Sequence, residues 1–205
     1  MPQVTAIKPQ KNGKRVNIYL DGKFAFGLDL ENYVKLGLKV EQNLTDDEIN
    51  GLVRKAEFQK IMDKLLRFAT LRPRSEKEIR DYFKRKRVYK DLQKDLYDKL
   101  KKFELVDDEK FAKWWVEQRL AFRPKSQRIL NNELRIKGVK KDIIDETLNS
   151  IKIDEVKIAR ELLEKRKNKW HNLGEIEARK KMSEFLARHG FSWGIIKTVI
   201  KELKT

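Results

Sequence analysis

The sequence predicts a mainly α protein in which tandem three-helix repeats form an elongated curved array behind a small N-terminal β-meander module. Three observations carry that expectation. Apolar residues alternate with period two only as far as Leu28 and recur at helical spacing afterwards. Arg72-Pro73-Arg74-Ser75 returns 51 residues later as Arg123-Pro124-Lys125-Ser126. The residues after each copy match at the same offset: Ile79 with Leu130, Phe83 with Leu134, and Val88 with Val139.

Residues 4 to 28 read as the meander, because VTAIK, RVNIYL and KFAFGL are β-branched or aromatic runs separated by Asn12-Gly13 and Asp21-Gly22, both hairpin-turn dipeptides. A short helix is expected over Glu31 to Leu36, ended by Gly37, and Thr45-x-x-Glu48 is a capping box that opens the next helix. Phe58, Ile61, Met62, Leu65, Phe68 and Ala69 then mark one apolar face, and Pro73 stops that helix. Ser75 caps a second helix with Glu78 three residues on, and Leu92, Leu96 and Leu100 mark a third.

The next unit carries Phe111, Trp114, Trp115 and Phe122 on its first helix. A third copy follows at an offset of 52: Leu134, Gly138 and Val139 are echoed by Leu186, Gly190 and Phe191, and Ile143, Ile144 and Leu148 by Ile195, Ile196 and Ile200. There KRKNKWHNLG replaces the Arg-Pro-x-Ser connector, giving a longer joint after a helix marked by Val156, Ala159, Leu162 and Leu163. The expected modules are residues 1–50, 51–106, 107–152 and 153–205. Three short helices enclose only a small core, so neighbouring units are expected to stack and complete it.

Lys plus Arg number 49 against 32 Asp plus Glu, a formal charge of +17, which draws the chain toward polyanions or acidic protein surfaces. The absence of cysteine removes disulfides, thiolate metal sites and cysteine nucleophiles. No segment approaches a membrane span, and MPQVTAIKPQKNGKR lacks the apolar stretch of a secretory signal, so a cytoplasmic protein without a membrane partner is expected.

Catalytic constellations are absent from the pattern, and no catalytic residue, cofactor or metal is expected. Of the two histidines, His189 is expected as a partly positive ring at the carbonyl end of a helix dipole, and His171 in a loop. Asp107-Asp108-Glu109 and Asp142 to Glu146 could gather Mg²⁺, but both fall where helices begin and carboxylates cap free amides. The stretch Gly190 to Thr198 lacks the preceding strand and the Gly-Lys adjacency of a phosphate loop. Gly190 reads instead as a left-handed helix end and Ser192 as a cap, the joint that Gly138 also makes. Arg87 stands there in the first unit, so its turn is expected to differ.

The basic residues carry more information. Lys77, Arg80, Lys84 and Arg87 fall at spacings of three, four and three, opposite Ile79 and Phe83, and so form one exposed cationic stripe. The second unit repeats it more sparsely with Arg128 and Arg135, and Lys165, Arg166, Lys167 and Lys169 cluster in the third unit's joint. With the connector cations Arg72, Arg74, Arg123 and Lys125 these are the candidate partner-binding residues. A purely solvated face accounts for the same spacing. Trp114, Trp115, Trp170 and Trp193 serve either as core or as stacking platforms for a single strand; Trp170, inside a basic loop, is the candidate for stacking.

With the repeat laid out, the sequence resembles RecX, the family of regulators of the RecA recombinase. The resemblance rests on Leu71-Arg-Pro-Arg-Ser-Glu-Lys-Glu78, Phe83, the second connector Arg123 to Ser126, and the Leu134-x3-Gly138-Val139 joint with its echo at Leu186 to Phe191. It covers residues 58 to 203, and the β-rich start looks like the extension of longer members. The third unit departs by lacking Arg-Pro-x-Ser. The resemblance implies a non-enzymatic modulator that binds the RecA filament on single-stranded DNA, lies in its groove, and inhibits filament growth, ATP hydrolysis and strand exchange in recombination and repair. Duplex DNA is expected as a weak partner. The rival is a helix-turn-helix transcription factor, against which stands a stripe of Lys and Arg without the Asn or Gln that read adenine.

Overall fold

The computed structural model describes residues 1–11 and 13–202, which form two compact units: residues 1–71 with 88–99, and residues 72–87 with 100–202. The predicted turn at Asn12-Gly13 includes Asn12, which lies outside the described residues.

In the first unit three strands, β1 (Val4–Pro9), β2 (Arg15–Leu20) and β3 (Lys23–Asp29), make an antiparallel sheet in the order β1-β2-β3. Asp21 and Gly22 join β2 to β3 with φ of 48° and 78°, the left-handed pair that a two-residue hairpin turn of matching twist requires. Alternation then sends Val16, Ile18, Phe26 and Leu28 to one face, where they are buried. Helix α1 (Leu30–Leu36) ends at Gly37 in the left-handed region. Helix α2 (Asp46–Thr70) starts at Thr45 with both bonds of the capping box in place. It runs unbroken across residue 50, and its Leu52 and Ala56 close the core of the sheet. Part of α4 (Lys90–Lys102) belongs to this unit, tied to α2 by Arg54–Asp91 at 2.9 Å.

The second unit opens with α3 (Glu76–Lys86) and contains two complete three-helix repeats. One is α5 (Asp108–Phe122), α6 (Gln127–Ile136) and α7 (Lys141–Ile151); the other is α8 (Glu155–Glu164), a 3-10 turn at Lys167–Lys169, α9 (Glu175–Arg188) and α10 (Trp193–Glu202). The predicted 52-residue echo holds in three dimensions, since Leu134, Val139 and Ile144 occupy one core as Leu186, Phe191 and Ile196 occupy the next. These cores are separate clusters. For these two repeats the expectation that neighbours complete one shared core is therefore corrected: each closes on itself, with Phe111, or Trp170 with Phe185, adding aromatic volume to the aliphatic stripes.

Neighbours are joined instead by polar bonds at the connector. Ser75 accepts from the Glu78 amide, capping α3, while its hydroxyl donates to the Lys137 carbonyl at 2.8 Å. Lys77 Nζ donates to the Ile136 carbonyl at 2.7 Å, and the Glu76 amide donates to Asp108 Oδ1 at 2.8 Å. The next joint repeats the arrangement: the Ser126 amide donates to the His189 carbonyl at 3.1 Å and the Gln127 amide to Glu155 Oε1 at 2.8 Å. Each helix that starts at Ser of Arg-Pro-x-Ser thus receives a carboxylate from the first helix of the following repeat and covers the last carbonyls of its second helix.

The joint also explains its glycines. Gly138 and Gly190 take φ of 82° and 88°, and the amides of Val139 and Phe191 donate back to the carbonyls of Leu134 and Leu186, as in a Schellman ending. Arg87, expected to turn differently, adopts the same left-handed conformation with φ of 51°. Its side chain is exposed. The Asp142 to Glu146 cluster follows expectation only in part: Asp142 lies in the first turn of α7, but Lys140 is at its cap without a side-chain bond, and Asp145 and Glu146 lie inside the helix. Asp107 does cap α5, accepting from the amides of Glu109 and Lys110.

Candidate functional site

Helix α3 buries Ile79, Tyr82 and Phe83 and turns Lys77, Arg80, Lys84 and Arg87 to solvent, as its spacing demands. Two of the four have work inside the protein: Lys77 holds the joint, and Arg80 lies 3.5 Å from Glu76. Lys84 and Arg87 point outward from the last turn.

The connector cations divide sharply. Arg72 forms a bidentate pair with Glu78, both bonds 2.9 Å, and its guanidinium lies over the Trp114 ring at 5.2 Å. Arg74 is buried beside the same carboxylate, and Lys137 Nζ reaches it from the next repeat at 2.8 Å. Burial alone would raise the Glu78 carboxyl, but the hydrogen bonds from Arg72 and Lys137 outweigh it and hold the group below the ordinary carboxylate range. Arg72 and Arg74 are therefore structural. Arg123 is exposed, and a reason is visible in the sequence: Ile129 stands where the first unit has Glu78, the carboxylate that holds Arg72. Lys125 is half-buried near His189.

On α6, Arg128 and Arg135 border a shallow groove that Gln127, Asn131 and Asn132 also line. These amides are not among the residues expected at the site, although QRILNNELR displays them at helical spacing. In the third repeat Lys165, Arg166, Lys167 and Lys169 are exposed, with Arg166 over the Phe185 ring at 4.7 Å. Trp170 departs from the stacking expectation. It is buried in the core of its repeat, with its ring 5.7 Å from Phe185, because the 3-10 turn folds it inward. Trp115 is held by its indole N–H donating to Glu133 at 2.8 Å and lies beneath Arg119 and Lys137. The exposed aromatic rings of the second unit are those of Phe103, Phe122 and Trp193.

His189 is not the partly positive ring expected. Burial lowers its pKa, Lys125, Arg166 and Arg188 lower it further, and the bond from Nδ1 to the Phe185 carbonyl at 2.9 Å only partly opposes them. Among the described residues no group of three or more His, Asp or Glu side chains converges as a metal site would require, and no helix is long and apolar enough to cross a membrane.

The arrangement is thus a set of repeats in which the second helices α3 and α6 expose cations, while α7 turns the acids Asp142, Asp145 and Glu146 to solvent beside Lys141. Comparison with known proteins agrees in extent and order. Residues 2–45 match the regulatory protein RecX N-terminal domain, 107–148 the second three-helix domain of RecX, and 153–200 the third. Regulatory protein RecX of Bacillus licheniformis is 33% identical over 204 residues, covering 98% of this chain and 78% of the relative. The chain belongs to the RecX family. The RecX relative from Clostridium perfringens strain SM101 is 31% identical over 99% of this chain and 97% of its own. Two crystal structures of RecX share the fold at 24% identity. One, with a TM-score of 0.68, covers 97% of this chain and 98% of that one; the RecX of Lactobacillus salivarius, with a TM-score of 0.60, covers 72% and 96%. RecX membership fits both the three-helix repeats and the β-meander at the start.

Proposed function

We propose that this chain regulates the RecA recombinase without catalysis, in the cytoplasm, by binding RecA filaments on single-stranded DNA and inhibiting their growth, ATP hydrolysis and strand exchange. The observation that supports this reading most is the exposed cationic face of α3, repeated on α6 by Arg128 and Arg135, in a member of a family named for regulation. Cations held on rigid helices attract an acidic filament and its nucleic acid over long range and fix register through many weak contacts. Lys84, Arg87, Arg123, Arg128, Arg135, Lys165 and Lys169 are the contacts this reading assigns. Arg72, Arg74 and Trp170 serve the fold.

The test is RecA ATP hydrolysis on single-stranded DNA at fixed salt. Combined Arg80→Glu, Lys84→Glu and Arg87→Glu is expected to raise the half-inhibitory concentration at least about tenfold. Lys77 is left intact because it holds the repeat joint. A folded variant that inhibits as well as wild type would make this face mere solvated surface.

A second reading, recognition of duplex bases, gains from Asn131 and Asn132 on α6, since amides pair bidentately with adenine. Against it, the reading helix of a helix-turn-helix is the third, and Asp142, Asp145 and Glu146 on α7 repel phosphates. An affinity difference of about a thousandfold between one duplex and random duplexes would favour it.

A further inference from the structure

The first unit holds a feature that the family reading does not use. A groove of about 410 Å³ runs between the edge strand β3 and helix α2. One wall is Phe24 to Gly27 with Gln10 and Arg15; the other is a single stripe of α2 from Val53 to Arg67. Its floor is apolar, with Val53, Ala56 and Phe26, and its rim is cationic, with Arg15, Lys60, Lys64 and Arg67.

We infer that this groove binds an extended acidic peptide segment of a partner protein, with carboxylates on alternate residues meeting the α2 cations and apolar residues between them facing the floor and Phe24. Three observations lead there. Lys60, Lys64 and Arg67 are exposed, and no ion pair within 4.0 Å is found for them among the described residues. Some helical cations elsewhere pair with acids one turn away, as Lys94 does with Asp98 and Lys181 with Glu177. Here the nearby Asp63 instead accepts from Gln59 at 2.9 Å, so three cations against two carboxylates, Glu57 and Asp63, line this wall of the groove.

The first of the two steps along the stripe is close to the repeat of a strand, and the second is shorter. Helical rise of about 1.5 Å per residue sets Lys64 roughly 6 Å along the axis from Lys60 and Arg67 roughly 4.5 Å further, while alternate side chains of an extended chain stand about 6.8 Å apart. Arg15 completes the opposite wall, its guanidinium donating to the Gly27 carbonyl at 2.6 Å on the edge of β3. That bond blunts the edge against simple strand addition and leaves the carboxylates to supply recognition. A peptide suits the wall better than a phosphodiester chain. Glu57 and Asp63 share it, and peptide N–H groups can donate to them where phosphates only accept. This inference does not rest on the RecA reading.

The test uses the full chain and a fluorescein-labelled peptide of about twelve residues alternating Glu with Val or Thr, followed by anisotropy at low salt. Combined Lys60→Glu, Lys64→Glu and Arg67→Glu is expected to weaken binding at least about tenfold. Reversal of Lys165, Lys167 and Lys169 changes net charge equally and should shift it less than about twofold, and a twin peptide with Gln for Glu should not bind. The inference fails if wild type does not bind the peptide, if both reversals weaken it alike, or if the α2 reversal abolishes binding of oligothymidylate while sparing the peptide.

Discussion

The Cβ of Lys77 stands against Gly138, 2.6 Å from where a side chain on that glycine would begin. The same relation recurs one repeat on, where a Cβ at Gly190 would fall 2.4 Å from Ser126 Oγ. Both glycines combine a left-handed φ with a neighbour from the preceding unit, whereas Arg87, in the equivalent turn, is exposed. Gly138→Ala is therefore expected to destabilise the protein by roughly 2–4 kcal/mol, from left-handed strain plus overpacking. Arg87→Gly should be neutral or stabilising by up to about 1 kcal/mol. Denaturant midpoints of the two variants check this; equal losses would sink it.

Glu78 gathers Arg72, Arg74 and Lys137 around one half-buried carboxylate. Glu78→Gln should cost roughly 2 kcal/mol, since it leaves Arg72 and Lys137 with a neutral acceptor. Its folded pKa is depressed, so the stabilisation is present above the unfolded carboxylate value and lost as pH falls through the folded one. The wild-type denaturation midpoint should therefore fall more steeply than the variant's in acid, below about pH 4.5.

Asp108 has the opposite sign. Burial raises its pKa, and the hydrogen bond from the Glu76 amide offsets this only in part. The group favours folding when protonated, and that contribution fades as pH rises through its folded pKa. Asp108→Asn keeps an acceptor for the amide and removes the buried charge facing Glu76. At pH 7 the variant should lie within about 0.5 kcal/mol of wild type, measured by urea denaturation.

The ring of His189 lies tilted against Phe185 with centroids 4.3 Å apart. Because its folded pKa lies below the unfolded value, stability present above about pH 6.5 is lost as pH falls through the folded pKa. His189→Gln should flatten the change in thermal midpoint between pH 7.5 and 5.5. An unchanged slope would show that the ring does not titrate between those limits.

Trp170 distinguishes core from platform by what its loss damages. Truncation to Ala should cost about 3–5 kcal/mol, while Trp170→Phe should keep the fold and bind single-stranded DNA within about twofold of wild type. Calorimetry and a filter-binding titration read the two effects separately.

Much of this protein was legible in local pattern. The turn at Asp21-Gly22, the Thr45 capping box, the helix caps at Ser75 and Ser126 and the 51- and 52-residue echoes all follow from spacings of a few residues, over which backbone geometry acts directly. So does the exposure of Lys84 and Arg87 opposite Ile79 and Phe83. What tertiary structure decided is which identical-looking residues do different work. Arg72 and Arg123 occupy matching places in the same motif, and Ile129 in the place of Glu78 is legible in the sequence; that Glu78 folds back onto Arg72 while Lys137 reaches it from the next repeat is not. Trp170 looks like a loop aromatic in the sequence, yet the 3-10 turn carries it into a core, and three exposed cations on α2 line a groove only because the edge of β3 lies opposite them. Burial and ion pairing depend on where distant segments meet, and periodicity along one helix carries no record of that.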